Sequence, residues 1–236
     1  MRSLFTFLSY IAFLSSFAQT ANEIKMENDS VAIVADPKYR EDQFYASIAY
    51  HSIQNKPTGF SQSSFSTALS IGFLRDMPIN KARNHAIAVG LGYSYSNIKN
   101  NLKITGVDDV RTYEIIPEDE FDKNKLVMHS VDIPIEFRWR NSDSISHKFW
   151  RVYAGFKASY VFHNKAQFED GSGTIKLRNN PDMNNLLYGV YISAGWNTWN
   201  LYTYYGLNPL FDSGVLADNQ EVKLNSLNFG LIFYIL

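Results

Sequence analysis

The 236-residue chain sets 22 basic against 23 acidic side chains and contains no cysteine. Near-neutral charge removes the basic footprint of a nucleic-acid binder, and the lack of thiols removes disulfide frameworks and cysteine-anchored lipoproteins. Aromatics reach 15%, mostly Tyr and Phe, a composition suited to surfaces where one side is apolar and the other wet.

The N-terminal stretch has three parts. Arg2 is positive, Leu4 to Phe17 is apolar but too short to span a bilayer, and Ser16-Phe17-Ala18 supplies small residues for cleavage. This order predicts a secretory signal peptide over residues 1–18, with Ala21 as an alternative cut. Loss of Arg2 leaves 21 basic against 23 acidic groups, a formal charge of −2. Residues 19–41 are polar and read as a flexible periplasmic segment. No later apolar run approaches the roughly 20 residues of a membrane helix.

From residue 42 on, apolar and small or polar residues alternate with period two, the signature of strands. Eight are predicted in chain order. Gln43 to Ile53 sets Phe44, Ala46, Ile48 and Tyr50 on one face. Phe65 to Leu74 sets Leu69, Ile71 and Phe73 against Ala68, Ser70 and Gly72, and His85 to Ser96 sets Ile87, Val89 and Leu91 against Ala88, Gly90 and Gly92. Leu126 to Arg140 places Val131, Ile133, Ile135 and Phe137 opposite Asp132, Glu136, Arg138 and Arg140. Trp150 to Phe162 places Val152, Phe156 and Tyr160 opposite Arg151, Gly155 and Lys157. Leu186 to Trp196, Trp199 to Leu207 and Ser226 to Leu236 complete the set.

One face is large and apolar throughout, and the other mixes Gly, Ala and Ser with charges. A soluble ligand-carrying barrel points its apolar side inward. Small residues and ion pairs suit the narrow interior of eight strands, while large aliphatics ringed by aromatics suit lipid. The sequence therefore predicts an all-β, eight-stranded antiparallel up-and-down transmembrane β-barrel over residues 42–236, in the cell outer membrane. Connections agree: Asp76 to Asn84, Asn141 to Lys148 and Asn197-Thr198 are short, as periplasmic turns are. Ser52 to Ser64, Asn97 to Lys125, His163 to Asn185 and Asn208 to Lys223 are longer, as external loops are. Asp170-Gly171-Ser172-Gly173 reads as a hairpin tip. Trp139, Trp150, Trp196 and Trp199 fall at strand ends beside the short turns, which predicts an interfacial girdle.

Three segments carry a family likeness. The terminal strand, with Gly230 three residues before Phe233, resembles the C-terminal assembly signal of bacterial outer-membrane barrels. Val131-Asp132-Ile133-Pro134-Ile135-Glu136 and Tyr204-Tyr205-Gly206-Leu207-Asn208 resemble strands of the PorT-like, or outer membrane protein beta-barrel, proteins of Bacteroidetes-type bacteria. The resemblance spans Gln43 to Leu236 and implies a small outer-membrane barrel without shared catalytic residues. One branch of that family is implicated in type IX secretion; no motif here is specific to it.

Asp132, Glu136, Arg138, Arg140, Arg151 and Lys157 share the inner face of two consecutive strands, and buried charge demands pairing. They read as a structural plug. A regular hairpin with Arg151 near Arg138 would bring Lys157 near Asp132 and flank Glu136 with Arg138 and Arg151. Among His51, His85, His129, His147 and His163, only His51-Ser52 and His129-Ser130 adjoin a nucleophile. Neighbours on a strand face opposite ways, so neither pair shares a proton, and no histidine spacing suits a metal. Glu118 to Asp122 is acidic but lacks the glycine and alternation of a calcium loop.

The expectation is a non-enzymatic barrel without cofactors, structural or accessory to a secretion or uptake complex. Its partners would be outer-membrane lipid and lipopolysaccharide, the barrel-assembly machinery during insertion, and an outer-membrane protein complex. A rim-located lipid-modifying enzyme and a small porin-like channel are the alternatives.

Overall fold

The computed structural model describes residues 42–62, 64–107, 110–141 and 150–235; the predicted signal peptide, its cleavage site and the lead-in lie outside them. Eleven strands occur among the described residues: β1 Gln43–Gln54, β2 Thr67–Pro78, β3 His85–Lys99, β4 Leu102–Val107, β5 Val110–Ile115, β6 Lys123–Arg140, β7 Trp150–Asp170, β8 Gly173–Arg178, β9 Leu186–Trp196, β10 Trp199–Gly206 and β11 Asn225–Ile235. Eight of them form the wall. Each of β1, β2, β3, β6, β7, β9, β10 and β11 pairs antiparallel with the next, and β11 closes on β1 through Phe44 opposite Ile235 to Gln54 opposite Asn225. Closure leaves no open edge in the wall, so backbone groups are satisfied without water.

Alternation decides which side chain faces where. Ile71, Leu91, Ile133, Ile192 and Leu201 are exposed on the outer surface, although each is apolar. A continuous apolar exterior of this size fits lipid. Trp139, Trp150, Trp196 and Trp199 stand on that surface at the short-turn end. Trp150 and Trp196 are opposed across strands with ring centroids 5.4 Å apart, and Trp199 packs edge-on against Phe233 at 4.8 Å.

Two local departures shape β6 and β7. Pro134 sits mid-strand with no N–H to give, and the β3–β6 pairing skips Gly90 and Leu91 opposite Pro134 and Ile133. Between β6 and β7, His129 faces His163 but Ser130 faces Val161, leaving Phe162 as an extra residue. This bulge switches the inward positions of β7 from odd numbers (Arg151, Tyr153, Ser159) to even ones (Asn164, Ala166, Phe168).

The long-loop end is more structured than its polar sequence suggests. β6 and β7 continue well past the apolar belt, β8 extends that wall, and β4 and β5 form a separate hairpin. The segment from Asn97 to Lys125, read as a loop, is thus mostly strand. Ile53, Leu102, Tyr113, Leu126, Phe211 and Leu224 belong to one buried apolar cluster contributed by all these pieces. Asp170 forms the expected tip: its carboxylate accepts from the Ser172 hydroxyl at 2.6 Å and the Ser172 amide at 2.9 Å, which hold its pKa below the ordinary value.

Candidate functional site: a charged and aromatic lumen

The inner face of β6 is a ladder of even positions, and Asp132, Glu136, Arg138 and Arg140 are all buried on it. Arg151 and Lys157 are buried on the facing strand β7. They form two groups. Near the short-turn end, Arg138 Nε donates to Glu136 Oε2 at 2.8 Å and Arg138 Nη1 to Asp76 Oδ1 at 3.0 Å. Arg140 grips the same aspartate with Nη1 to Oδ1 at 3.0 Å and Nη2 to Oδ2 at 2.9 Å. Higher up, Asp132 receives the Lys157 ammonium at 3.5 Å, the Ser130 hydroxyl at 3.2 Å and the Ser94 hydroxyl.

The register corrects the pairing inferred from a regular hairpin. Arg151 lies opposite Arg140, not Arg138, and Arg138 lies opposite Tyr153, a slip of two residues that preserves the faces. Lys157 still meets Asp132 and Arg138 still meets Glu136, but Arg151 does not flank Glu136. Its Oε1 accepts from two phenols instead, Tyr191 at 2.8 Å and Tyr234 at 3.1 Å. The carboxylate thus meets a guanidinium on one oxygen and two hydroxyls on the other.

Asp76 is the acid that the sequence reading omitted. The sequence places it at the start of a turn, but β2 runs on to Pro78 and sets Asp76 on the inner face with Leu74. Parity contained that signal: even positions of β2 carry Ala68, Ser70 and Gly72 inward. Its two arginine partners neutralise a charge that would be costly alone in this setting.

Tyrosines occupy the remaining interior. Arg138 stacks 4.8 Å from the Tyr153 ring centre, and Arg151 lies 5.6 Å from that of Tyr234. Two glycines admit these rings: a Cβ at Gly155 would collide with the Tyr191 ring, and one at Gly189 with Tyr204 at 2.6 Å. Between the Asp132–Lys157 pair and the apolar cap remains a polar cavity of about 40 Å³, lined by Ser47, Ser70, Ser159, Ser226 and His51. That volume holds on the order of a few waters. A second, separate cavity beside Tyr45, Glu136 and Tyr191 has only about 10 Å³. Among the described residues, buried charged and aromatic side chains fill this part of the lumen.

The histidines make contacts that sequence spacing did not show. His51 is buried and its Nε2 lies 3.0 Å from the Ser226 hydroxyl across the β1–β11 seam; its Nδ1 has no hydrogen-bond partner among the described residues. Among the described residues no carboxylate hydrogen-bonds to His51. His129 faces His163 with ring centroids 5.7 Å apart, and the Tyr93 hydroxyl lies 2.6 Å from His129 Nδ1. His85 is the first residue of β3, with its Nδ1 2.8 Å from Asn84 Oδ1, and His147 lies outside the described residues. Among the described residues, no group of three or more His, Asp or Glu is placed to hold a metal. The Glu118–Glu120 run is a short exposed 3-10 turn, and Glu118 accepts from Ser61 at 2.6 Å.

A closed eight-stranded antiparallel wall with a lipid-facing exterior and a filled interior defines a membrane barrel of the outer-membrane class. The model of the outer membrane protein beta-barrel domain matches residues 17–212. The chain belongs to that family, and it is an outer-membrane protein. The match stops before β11, which the structure shows closing the ring. Among solved structures, Neisserial surface protein A (NspA) is 18% identical, with 83% of this chain and 96% of that chain covered and a TM-score of 0.37. A mutant porin of Rh. blastica is 8% identical, with 84% and 100% covered and a TM-score of 0.22. No curated protein matches.

Proposed function

We propose that this protein is a non-conducting, non-enzymatic barrel that serves as a structural or accessory subunit of an outer-membrane assembly for secretion or uptake. The observation that carries this reading is the lumen. Asp76, Glu136, Arg138 and Arg140 are locked in mutual contacts across the inside of the barrel, and tyrosines fill the space between them. A pore needs a continuous watery path, and a rim enzyme needs convergent reactive groups open to substrate. A packed barrel with a folded external cap presents surfaces instead. The cap is ordered by its own apolar cluster and by Tyr113, whose hydroxyl donates to Asp182 at 2.7 Å and accepts from Asn180 at 2.8 Å.

Affinity purification from detergent-solubilised outer membrane, followed by mass spectrometry, tests the proposal. A stoichiometric membrane or envelope partner is the expected result. Altered lipid A structure in a deletion strain, with no partner recovered, would replace the reading with an enzymatic one.

A further inference from the structure

Above the apolar belt the outer wall of β3, β6, β7 and β8 turns basic. Pairing sets Lys99 beside Lys125, Lys125 beside Gln167, and Gln167 beside Lys176. One row lower, Asn97, Val127, Lys165 and Arg178 follow one another across the same four strands. Cross-strand partners share a face, and the Phe162 bulge turns Lys165 outward on a strand whose lower odd positions point inward. Five cations therefore stand on one surface. None of them is in an ion pair among the described residues; Glu169, one row higher on β7, lies 4.0 Å from Lys123. Partial burial and the neighbouring Lys123, Lys165 and Lys99 lower the pKa of the Lys125 ammonium. Such crowding is unfavourable unless an anion balances it.

Height supplies the second observation. His129 and Trp139 are ten residues apart on β6. At about 3.3 Å per residue and a tilt near 40°, that distance spans roughly 25 Å of membrane, the height of an apolar band. Trp139 marks its lower edge. The row of Tyr95, His129 and His163 marks the upper one, with the exposed rings of Tyr93 and Phe162 beside it. The lysine rows begin immediately above, at the level of lipid head groups in the outer leaflet.

We propose that this wall binds a phosphorylated, multiply acylated glycolipid of the outer leaflet, the lipid A part of lipopolysaccharide. Its phosphates meet Lys99, Lys125 and Lys165, and its acyl chains lie along Tyr93, Val131 and Phe162. The site rests on the outer-membrane location, and its chemistry is read separately in detergent.

The full chain, purified in detergent, is incubated with lipopolysaccharide carrying its lipid A phosphates or stripped of them, and bound lipid per barrel is measured by mass spectrometry. Retention should fall roughly a hundred-fold on dephosphorylation, and equally in the combined Lys99→Glu, Lys125→Glu, Lys165→Glu variant. Lys56→Glu with Lys223→Glu, in loops beside β1 and β11, should leave it unchanged. Heat-modifiable mobility reports folding in every sample, and the comparison of the two lipids needs no variant at all. Equal retention of both lipids overturns the site. So does full displacement by inorganic phosphate, which would mark a free-anion site, or loss of a protein partner in the triple variant with lipid retained. A wild-type chain absent from the outer membrane defeats the location, whereas lipid binding in detergent still reads the wall.

Discussion

Asp76 holds Arg140 through both carboxylate oxygens while sharing one of them with Arg138. One acid from β2 thus fixes two bases of β6, although β3 lies between them in the wall. The contact spans the interior rather than one hairpin. Replacing Asp76 by Ala should cost about 3–5 kcal/mol, because it removes the buried carboxylate that two guanidinium groups share. Glu136→Ala should cost about 3 kcal/mol, because Arg138 loses one of its two carboxylates and the buried Tyr191 and Tyr234 hydroxyls lose this acceptor. Ile133→Val on the lipid face should cost about 1 kcal/mol or less. Urea unfolding in vesicles, followed by tryptophan fluorescence, gives the order; a smaller loss for Asp76 than for Ile133 would refute the plug as a source of stability.

Packing at the glycines yields a second expectation. Gly155→Val should displace the Tyr191 ring, breaking its hydrogen bond to Glu136, and destabilise the barrel by about 1–3 kcal/mol. Gly171→Ala, at a loop tip with open space around it, should be nearly silent. The same unfolding assay separates them.

The external cap should fail independently of the wall. Phe211 is buried in the apolar cluster and packs edge-on against Tyr113 at 5.7 Å. Phe211→Ala should cost the cap about 3–5 kcal/mol and expose residues 208–224 to protease. Heat-modifiable mobility should persist. Loss of both together would mean that cap and wall unfold as one unit.

Planar bilayers containing the protein should show no conductance above lipid background, because Asp76, Glu136, Arg138 and Arg140 are buried in mutual contacts across the lumen with tyrosines packed around them. Stable steps of porin size would contradict the packed lumen. Glu136→Ala is the variant in which leakage should first emerge.

Much of the wall was legible because lipid outside and small or charged groups inside impose a strict period of two, visible in Val131 to Arg140 without any partner. Pairing across β6 and β7 was not. Nine residues separate Arg140 from Trp150, and a connection of that length has no turn chemistry to pin the register. Asp76 was lost because a charge after an apolar run looks like a strand end. The cap was invisible for a different reason: Leu102, Met183, Leu210 and Val222 come from separate segments and share no periodicity. Likewise, the His51–Ser226 contact exists only across the seam.

That seam has a consequence for how the molecule comes into being. Phe44 and Ile235 lie near opposite ends of the barrel sequence yet pair directly, so bringing β1 and β11 together closes the largest loop in the chain and is the entropically steepest pairing. Before it forms, both strands are unpaired edges carrying rows of open backbone donors and acceptors. A half-made barrel is therefore at once the slowest species to mature and the one readiest to join a stranger's strand, and its safety depends on how briefly those two edges stay apart.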